Sequence, residues 1–149
     1  MAINDLNFGS QVDAWCHEAE DRMVAVRNTA TEDVTDLMRE YTPIDLGFLA
    51  GTIQGSLNAP TPIDKTATNA KNAHIAKDAS AGEISLTIAS ASLTDTIYVC
   101  FTMAYAGFVE YGTSKMEPRA MVRRAAAQWP RLVESAATRA KARAAQAAR

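Results

Sequence analysis

One apolar stripe governs what this chain can fold into. Val12, Trp15, Ala19, Met23, Val26, Ala30, Val34, Leu37 and Tyr41 recur at steps of three or four, the spacing that lines side chains along one face of an α-helix. The helix so predicted runs about eight turns. It starts with Ser10 as N-cap and Asp13 in the first turn, and it ends before Pro43, which disfavours helical backbone at Thr42. Its other face holds Glu18, Glu20, Asp21, Arg27, Glu32, Asp33, Asp36 and Glu40, a solvated and mainly acidic surface. Such a helix cannot bury its own stripe, so the rest of the chain has to supply a sheet or further helices to cover it.

The chain has 149 residues, 48% of them hydrophobic, which suits a single domain spanning 1–149 with a true core. In Thr42 to Asn58, Gly47 permits a bend before Phe48 and Leu49 turn inward, and Gly51 to Leu57 reads as a first strand. Residues 58–80 are rich in Ala, Thr, Asn, Pro and Lys, with Ile63 and Ile75 as the only large aliphatics. That composition predicts a long mobile arm. Glu83 to Ala89 alternates Ile84, Leu86 and Ile88 with polar neighbours, the period of a half-buried strand. Ser90 to Asp95 reads as a turn and Thr96 to Thr102 as the hairpin partner, with Cys100 buried in it.

From Pro118 onward the chain reads as helical, with Met121, Val122, Ala125, Trp129, Leu132, Val133 and Ala136 on one face and a kink or restart at Pro130. Residues 135–149 form a basic helical tail without a large apolar residue; it either frays or lies against a partner. The predicted fold is α+β: a long N-terminal helix and a C-terminal helix packed on a small, mostly antiparallel sheet, with a long mobile loop.

Charge is unevenly spread. Residues 1–114 carry 15 Asp and Glu against 6 Lys and Arg, whereas residues 115–149 carry 2 against 9. This polarity permits head-to-tail contacts between identical subunits, contact of the basic end with nucleic acid, or packing of a basic helix over the acidic one within a single chain. The first residues have neither a basic start nor an apolar segment, so no signal peptide is expected. No apolar run approaches the roughly 20 residues that span a bilayer, which argues against a membrane partner.

Catalytic signatures are sparse. Neither GxGxxG nor GxxxxGK[ST] occurs. Cys16, His17, His74 and Cys100 lack metal-ligand spacing, and the two cysteines read as reduced core residues, so neither a metal nor a cofactor is expected. His17 and Asp21, one helical turn apart, suggest a surface hydrogen bond. Glu110 lies among aromatics, where a carboxyl serves either as a general acid of raised pKa or in a buried salt bridge to a C-terminal arginine; the second role is favoured. With no nucleophile beside a base, the chain is not expected to be an enzyme.

The densest cluster of unusual residues runs from Tyr105 to Arg119. Tyr105, Phe108, Val109 and Tyr111 fit two turns of helix that Gly112 ends in a left-handed conformation, followed by an exposed Thr113-Ser114-Lys115 loop and a helix with Pro118 in its first turn. The segments TPIDLGFLAGT (Thr42 to Thr52) and YAGFVEYGTSKMEPRAMVRRA (Tyr105 to Ala125) are similar to two blocks of the tail-completion, or neck, protein family of long-tailed bacteriophages. The order also agrees: long helix, first block, variable arm, hairpin, second block, terminal helix. Leu46 departs from the usual Thr, and Ala120, Met121 and Val122 stand where Pro-Phe-Leu is common.

The resemblance implies a structural virion protein, made in the host cytoplasm and without catalytic residues. It implies a self-assembled ring, six subunits being the expected number, at the head-proximal end of the tail. The neighbours would be the tail terminator or tail tube and the head connector, with phage DNA passing through the lumen. A tail terminator or stopper ring of the same junction is the alternative within this class, and a DNA-binding protein using the basic C-terminal helix is the alternative outside it. Glu110, Tyr111, Lys115, Arg119, Arg123 and Arg124 are expected in or beside subunit contacts, with Phe108 in the core. Joint charge reversal at Arg119 and Arg123 is then expected to stop assembly of a folded monomer.

Overall fold

The structure is a computed structural model that describes residues 5–43, 48–65 and 73–147. Helix α1 (Asp5–Tyr41) is followed by α2 (Phe48–Gly51), β1 (Ile53–Leu57), α3 (Ala73–Ser90), β2 (Ile97–Phe101), α4 (Ala106–Tyr111), α5 (Met121–Ala127) and α6 (Trp129–Ala147). The fold is α+β as expected, with long first and last helices about a two-stranded antiparallel sheet.

Helix α1 ends where Pro43 requires but begins earlier than expected. Ser10 is not its cap; the Ser10 hydroxyl lies inside the helix and donates to the Asn7 carbonyl at 3.0 Å. The helix is already formed at Asp5, the first described residue. Along its second half the buried positions are Ala30, Thr31, Thr35 and Met38. The threonines are tolerated there because each hydroxyl donates back one turn, Thr31 to the Arg27 carbonyl and Thr35 to that of Thr31, at 2.8 and 2.7 Å.

Two expectations for the middle of the chain are overturned. Residues 83–89 form no strand, and the hairpin with 96–102 does not exist; they belong to α3. Ile84 and Ile88 lie one helical turn apart, 2% and 1% exposed, while Leu86 projects outward at 73%. A period of two and a step of four share these positions, and the alanines around them favour the helix. Strand β2 pairs with β1 instead, in the register Ile53↔Phe101 through Leu57↔Ile97. Nor is 58–80 an arm throughout, because residues 73–80 are the first part of α3. Residues 66–72 and the proposed bend at Gly47 lie outside the described residues.

Helix α3 lies on β1. Ser80 donates to the Ile53 carbonyl at 2.7 Å, and Ile84 and Thr87 pass over Gly55, where a Cβ would sit 3.5–3.6 Å from them. One core cluster joins Met38, Ile53, Ile84, Ile88 and Ala125, with Val34, Leu37, Ile97 and Val99 at its edge. A second joins Leu49, Met103, Ala106 and Met121. Tyr41 and Phe101 touch both. Cys100, expected inside, is only half-buried, and Cys16 is exposed.

The C-terminal half restarts at Pro130, as its fixed φ and missing N–H dictate: α5 stops at Ala127 and α6 opens at Trp129. Val122, expected on the apolar face, is exposed, whereas Met121, Ala125 and Ala136 are buried. The basic tail continues as helix through 147, and beyond Ala140 its residues to 146 are exposed apart from the half-buried Ala144. Helix α6 lies along α1, with Ala136 buried and Arg139 paired to Asp33. Among the described residues no helix is long and apolar enough to cross a membrane.

Candidate interaction surface

Helix α4 is amphipathic in an unusual sense, for the side it buries carries Ala106 and the carboxylate of Glu110. Tyr105 and Val109 are partly buried against the second core cluster. The opposite side is left to Phe108 and Tyr111, 63% and 70% exposed. Phe108 is therefore not a core residue, contrary to expectation: a six-residue helix has one buried side, and Ala106, Val109 and Glu110 occupy it.

Gly112 ends the helix at φ +77°, the sign expected, though its ψ of 179° makes this an extended turn rather than a left-handed helical cap. A Cβ there would meet the Met116 carbonyl oxygen at 2.7 Å and the Pro118 nitrogen at 2.8 Å, so the loop folds back onto a position only glycine can fill. Thr113 and Met116 close this loop, with Ser114 and Lys115 exposed at its tip. Pro118 does not open the next helix. Arg119 and Ala120 first hand their N–H groups to the carbonyls of Val109 and Glu110, at 2.9 and 3.1 Å. Ala120 then takes φ 51°, ψ 42°, and α5 begins at Met121.

Glu110 organises this corner. Its Oε2 accepts the Val122 N–H at 2.9 Å, and its Oε1 accepts the Arg123 N–H at 3.1 Å and Arg123 Nε at 3.0 Å. Arg123 also donates through Nη2 to the Glu110 backbone carbonyl at 2.9 Å. The carboxylate thus satisfies the free N–H groups of α5 from twelve residues upstream, the service an N-cap side chain would otherwise perform. Burial pushes the Glu110 carboxyl up, but the N–H groups of Val122 and Arg123 and the adjacent guanidinium outweigh it and hold it below its ordinary value. The expected buried salt bridge to a C-terminal arginine is present. A carboxylate so engaged has no proton to give as a general acid at neutral pH.

The six residues singled out in the sequence divide between clasp and surface. Glu110, Tyr111 and Arg123 come together, with the Arg123 guanidinium 4.8 Å from the Tyr111 ring centre. Arg124 turns to α1 and covers the ring of Tyr41 at 4.0 Å. Lys115 and Arg119 stand exposed on the loop. Tyr111, Lys115 and Arg119, with the exposed Phe108, Met116 and Val122, form an apolar and basic outer surface around a locked interior.

A second exposed surface escaped the sequence reading. Residues 7–18 of α1 are exposed all round, with Phe8 at 71% and Trp15 at 68%. The stripe was legible, but where its cover stops was not. Further along, α1 and α6 flank an apolar groove of about 700 Å³ that includes Met23, Val26, Trp129 and Val133. The pairing foreseen for His17 and Asp21 is replaced by His17 and Glu20, 3.8 Å apart on the surface. Among the described residues no group of three or more His, Cys, Asp and Glu could hold a metal ion.

Fold and surface together define a small α+β protein whose most specific local structure, among the described residues, is a clasped, outward-facing loop. No family model, curated protein or solved structure matches the chain.

Proposed function

We propose that this chain is a structural protein of a tailed-phage virion, a tail-completion or neck subunit that assembles as a ring where tail meets head and lets DNA pass. The observation that carries the reading is the way the second block, Tyr105 to Ala125, folds. Glu110, Gly112 and the backbone around them are consumed in holding the loop, and Tyr111, Lys115 and Arg119 are turned outward. A segment that locks its own geometry while presenting aromatic and basic side chains suits a protein whose work is contact. The order long helix, first block, second block, terminal helix supports the same reading. A terminator or stopper ring at the same junction would use the same kind of surface.

Within this reading the test by charge reversal moves to Lys115 and Arg119. Arg123 holds Glu110, so changing it would unsettle the fold as well as the surface. The experiment is the mass of the native particle by light scattering after size exclusion, at low and high salt, with purified tail tubes added in parallel. A ring, alone or on tubes, that the doubly reversed variant fails to form is the expected result. A monomer that ignores tubes but shifts with duplex DNA would overturn the proposal in favour of the basic helix acting on phosphates, through cations such as Lys141 and Arg143.

A further inference from the structure

The first third of α1 is an uncovered helix. Phe8, Val12, Trp15 and Ala19 follow one another at steps of four, three and four, the seam spacing of a helix that packs on a partner. Phe8, Val12, Trp15 and Met23 are all exposed, at 71%, 39%, 68% and 52%. Monomeric proteins rarely leave so continuous an apolar stripe in water. Its surroundings are acidic: Asp5, Asp13, Glu18, Glu20 and Asp21 precede the first cation, Arg22, which is already paired with Glu18. A second α1 laid along this face would oppose like charges, and an acidic partner is disfavoured for the same reason.

A surface of opposite character exists on the same chain. The corner around Tyr111 exposes Phe108, Met116 and Val122 among Lys115, Arg119 and Arg123, with the exposed Glu117 beside them. The buried acid Glu110 is neutralised by Arg123, so that Lys115 and Arg119 outweigh Glu117 and the corner stays net basic. The two surfaces cannot meet within one molecule. The corner is anchored at the far end of α1, where Arg124 covers Tyr41. Trp15 is 26 residues back along the same helix, about 39 Å away at 1.5 Å per residue.

We infer that the acidic, apolar N-terminal segment of α1 is the docking face for the Tyr111–Lys115–Arg119 corner of a second copy of this chain. The contact is heterologous, each copy using its helix tip on one neighbour and its corner on the other. Such a contact closes into a ring when the rotation between copies permits and otherwise grows as a filament. The assignment rests on the ring reading only in taking the corner as one half of the contact; it adds the other half.

Two variants of the full chain test it. In the first, Asp13→Lys and Glu20→Lys reverse one flank of the tip, on positions seven apart that both lie away from Glu18 and its partner Arg22. In the second, Lys115→Glu and Arg119→Glu reverse the corner. Sedimentation at low salt should show the wild type rising above 16.0 kDa with concentration. Each variant alone should associate at least about tenfold more weakly. The tip variant balances its three remaining acids with Arg22 and two lysines and loses the attraction, while the corner variant gives its corner the sign of the tip. Mixing the two should restore association, because the unaltered acidic tip of the corner variant meets the unaltered basic corner of the tip variant. Circular dichroism confirms that both remain helical.

A wild type that stays monomeric at every soluble concentration overturns the inference, as does a tip variant that associates like the wild type. Failure of the mixture to associate overturns it too. Tail tubes separate the two proposals. Association through these faces without tube binding leaves the inference standing and removes the neck function. Tube capping by an unaltered ring of the tip variant does the reverse.

Discussion

Replacing Glu110 by glutamine tests whether the corner is held together by one carboxylate. The change keeps the shape and one acceptor oxygen, but places an amide NH2 against either the Val122 N–H or the Arg123 donors, all within 2.9–3.1 Å of the present oxygens. A donor then faces a donor beside an almost fully buried side chain, 6% exposed. Losing a hydrogen bond to a charged acceptor costs about 1.5–3 kcal/mol. The ion pair adds less than about 1 kcal/mol, because the Arg123 side chain is 54% exposed and water replaces much of its partner. Together these come to about 2–4 kcal/mol, which for a chain of this length lowers Tm by about 5–12 °C.

The pH dependence separates this account from simple loss of packing. The folded state holds the Glu110 carboxyl below its ordinary value of 4.5. The stability it contributes is therefore complete above that value and is lost as pH falls through the depressed folded pKa. The gap between wild type and Glu110→Gln should be full at neutral pH and close in acid. Urea unfolding of both proteins across this range reads it directly. A gap under about 0.5 kcal/mol at neutral pH, the range of ordinary surface changes, or one equally large at all pH values, would refute the reasoning.

Three further outcomes follow from the geometry. Gly112→Ala combines φ +77° with Cβ approaches of 2.7 and 2.8 Å to backbone atoms, so it should cost at least about 1–3 kcal/mol and expose the loop to proteolysis after Lys115. Ile88→Ala should cost about 2–5 kcal/mol and Leu86→Ala less than about 0.5 kcal/mol; similar costs for the two would restore the strand reading of 83–89. Asp95 is held at about 2 by the side-chain amide of Asn58 and by the hydroxyl and N–H of Ser92. Carbon-detected NMR titration should find that midpoint, and Asn58→Ala should move it up towards 3.8.

The sequence was most legible where one residue type leaves one physical option. Pro43 and Pro130 stop or restart helices, Gly112 takes positive φ, and the stripe from Val12 to Tyr41 lies on a single helix. Glu110 was legible as a buried ion-paired acid because aromatics surround it and arginines follow. What failed was any choice that depends on a distant partner. Ile84, Leu86 and Ile88 suit a strand by alternation and a helix by their step of four, and contact with Gly55 on β1 decides between them. Strand β2 has the composition of a strand, but only the position of α3 dictates that it pairs with β1 rather than with 83–89. Phe108 illustrates the same limit, since its exposure follows from Ala106, Val109 and Glu110 occupying the inner side of α4.

The two ends of α1 show how one uninterrupted pattern can serve two purposes. From Ala30 to Tyr41 the stripe is met by α5, α3 and both core clusters, so its residues are fixed by packing within the chain. From Phe8 to Trp15 the same spacing continues with larger side chains and nothing over them. An isolated helix of this length is marginal in water, and large exposed aromatics do not stabilise it. Small polar residues would serve a purely solvated extension better. Phe8 and Trp15 make sense on such a helix when something covers them, and the acidic residues beside them restrict the cover to a cationic surface. The corner around Tyr111 is such a surface. It is held by Glu110 and set at the far end of the same helix, so the geometry that forbids contact within one molecule would make the proposed contact between copies directional.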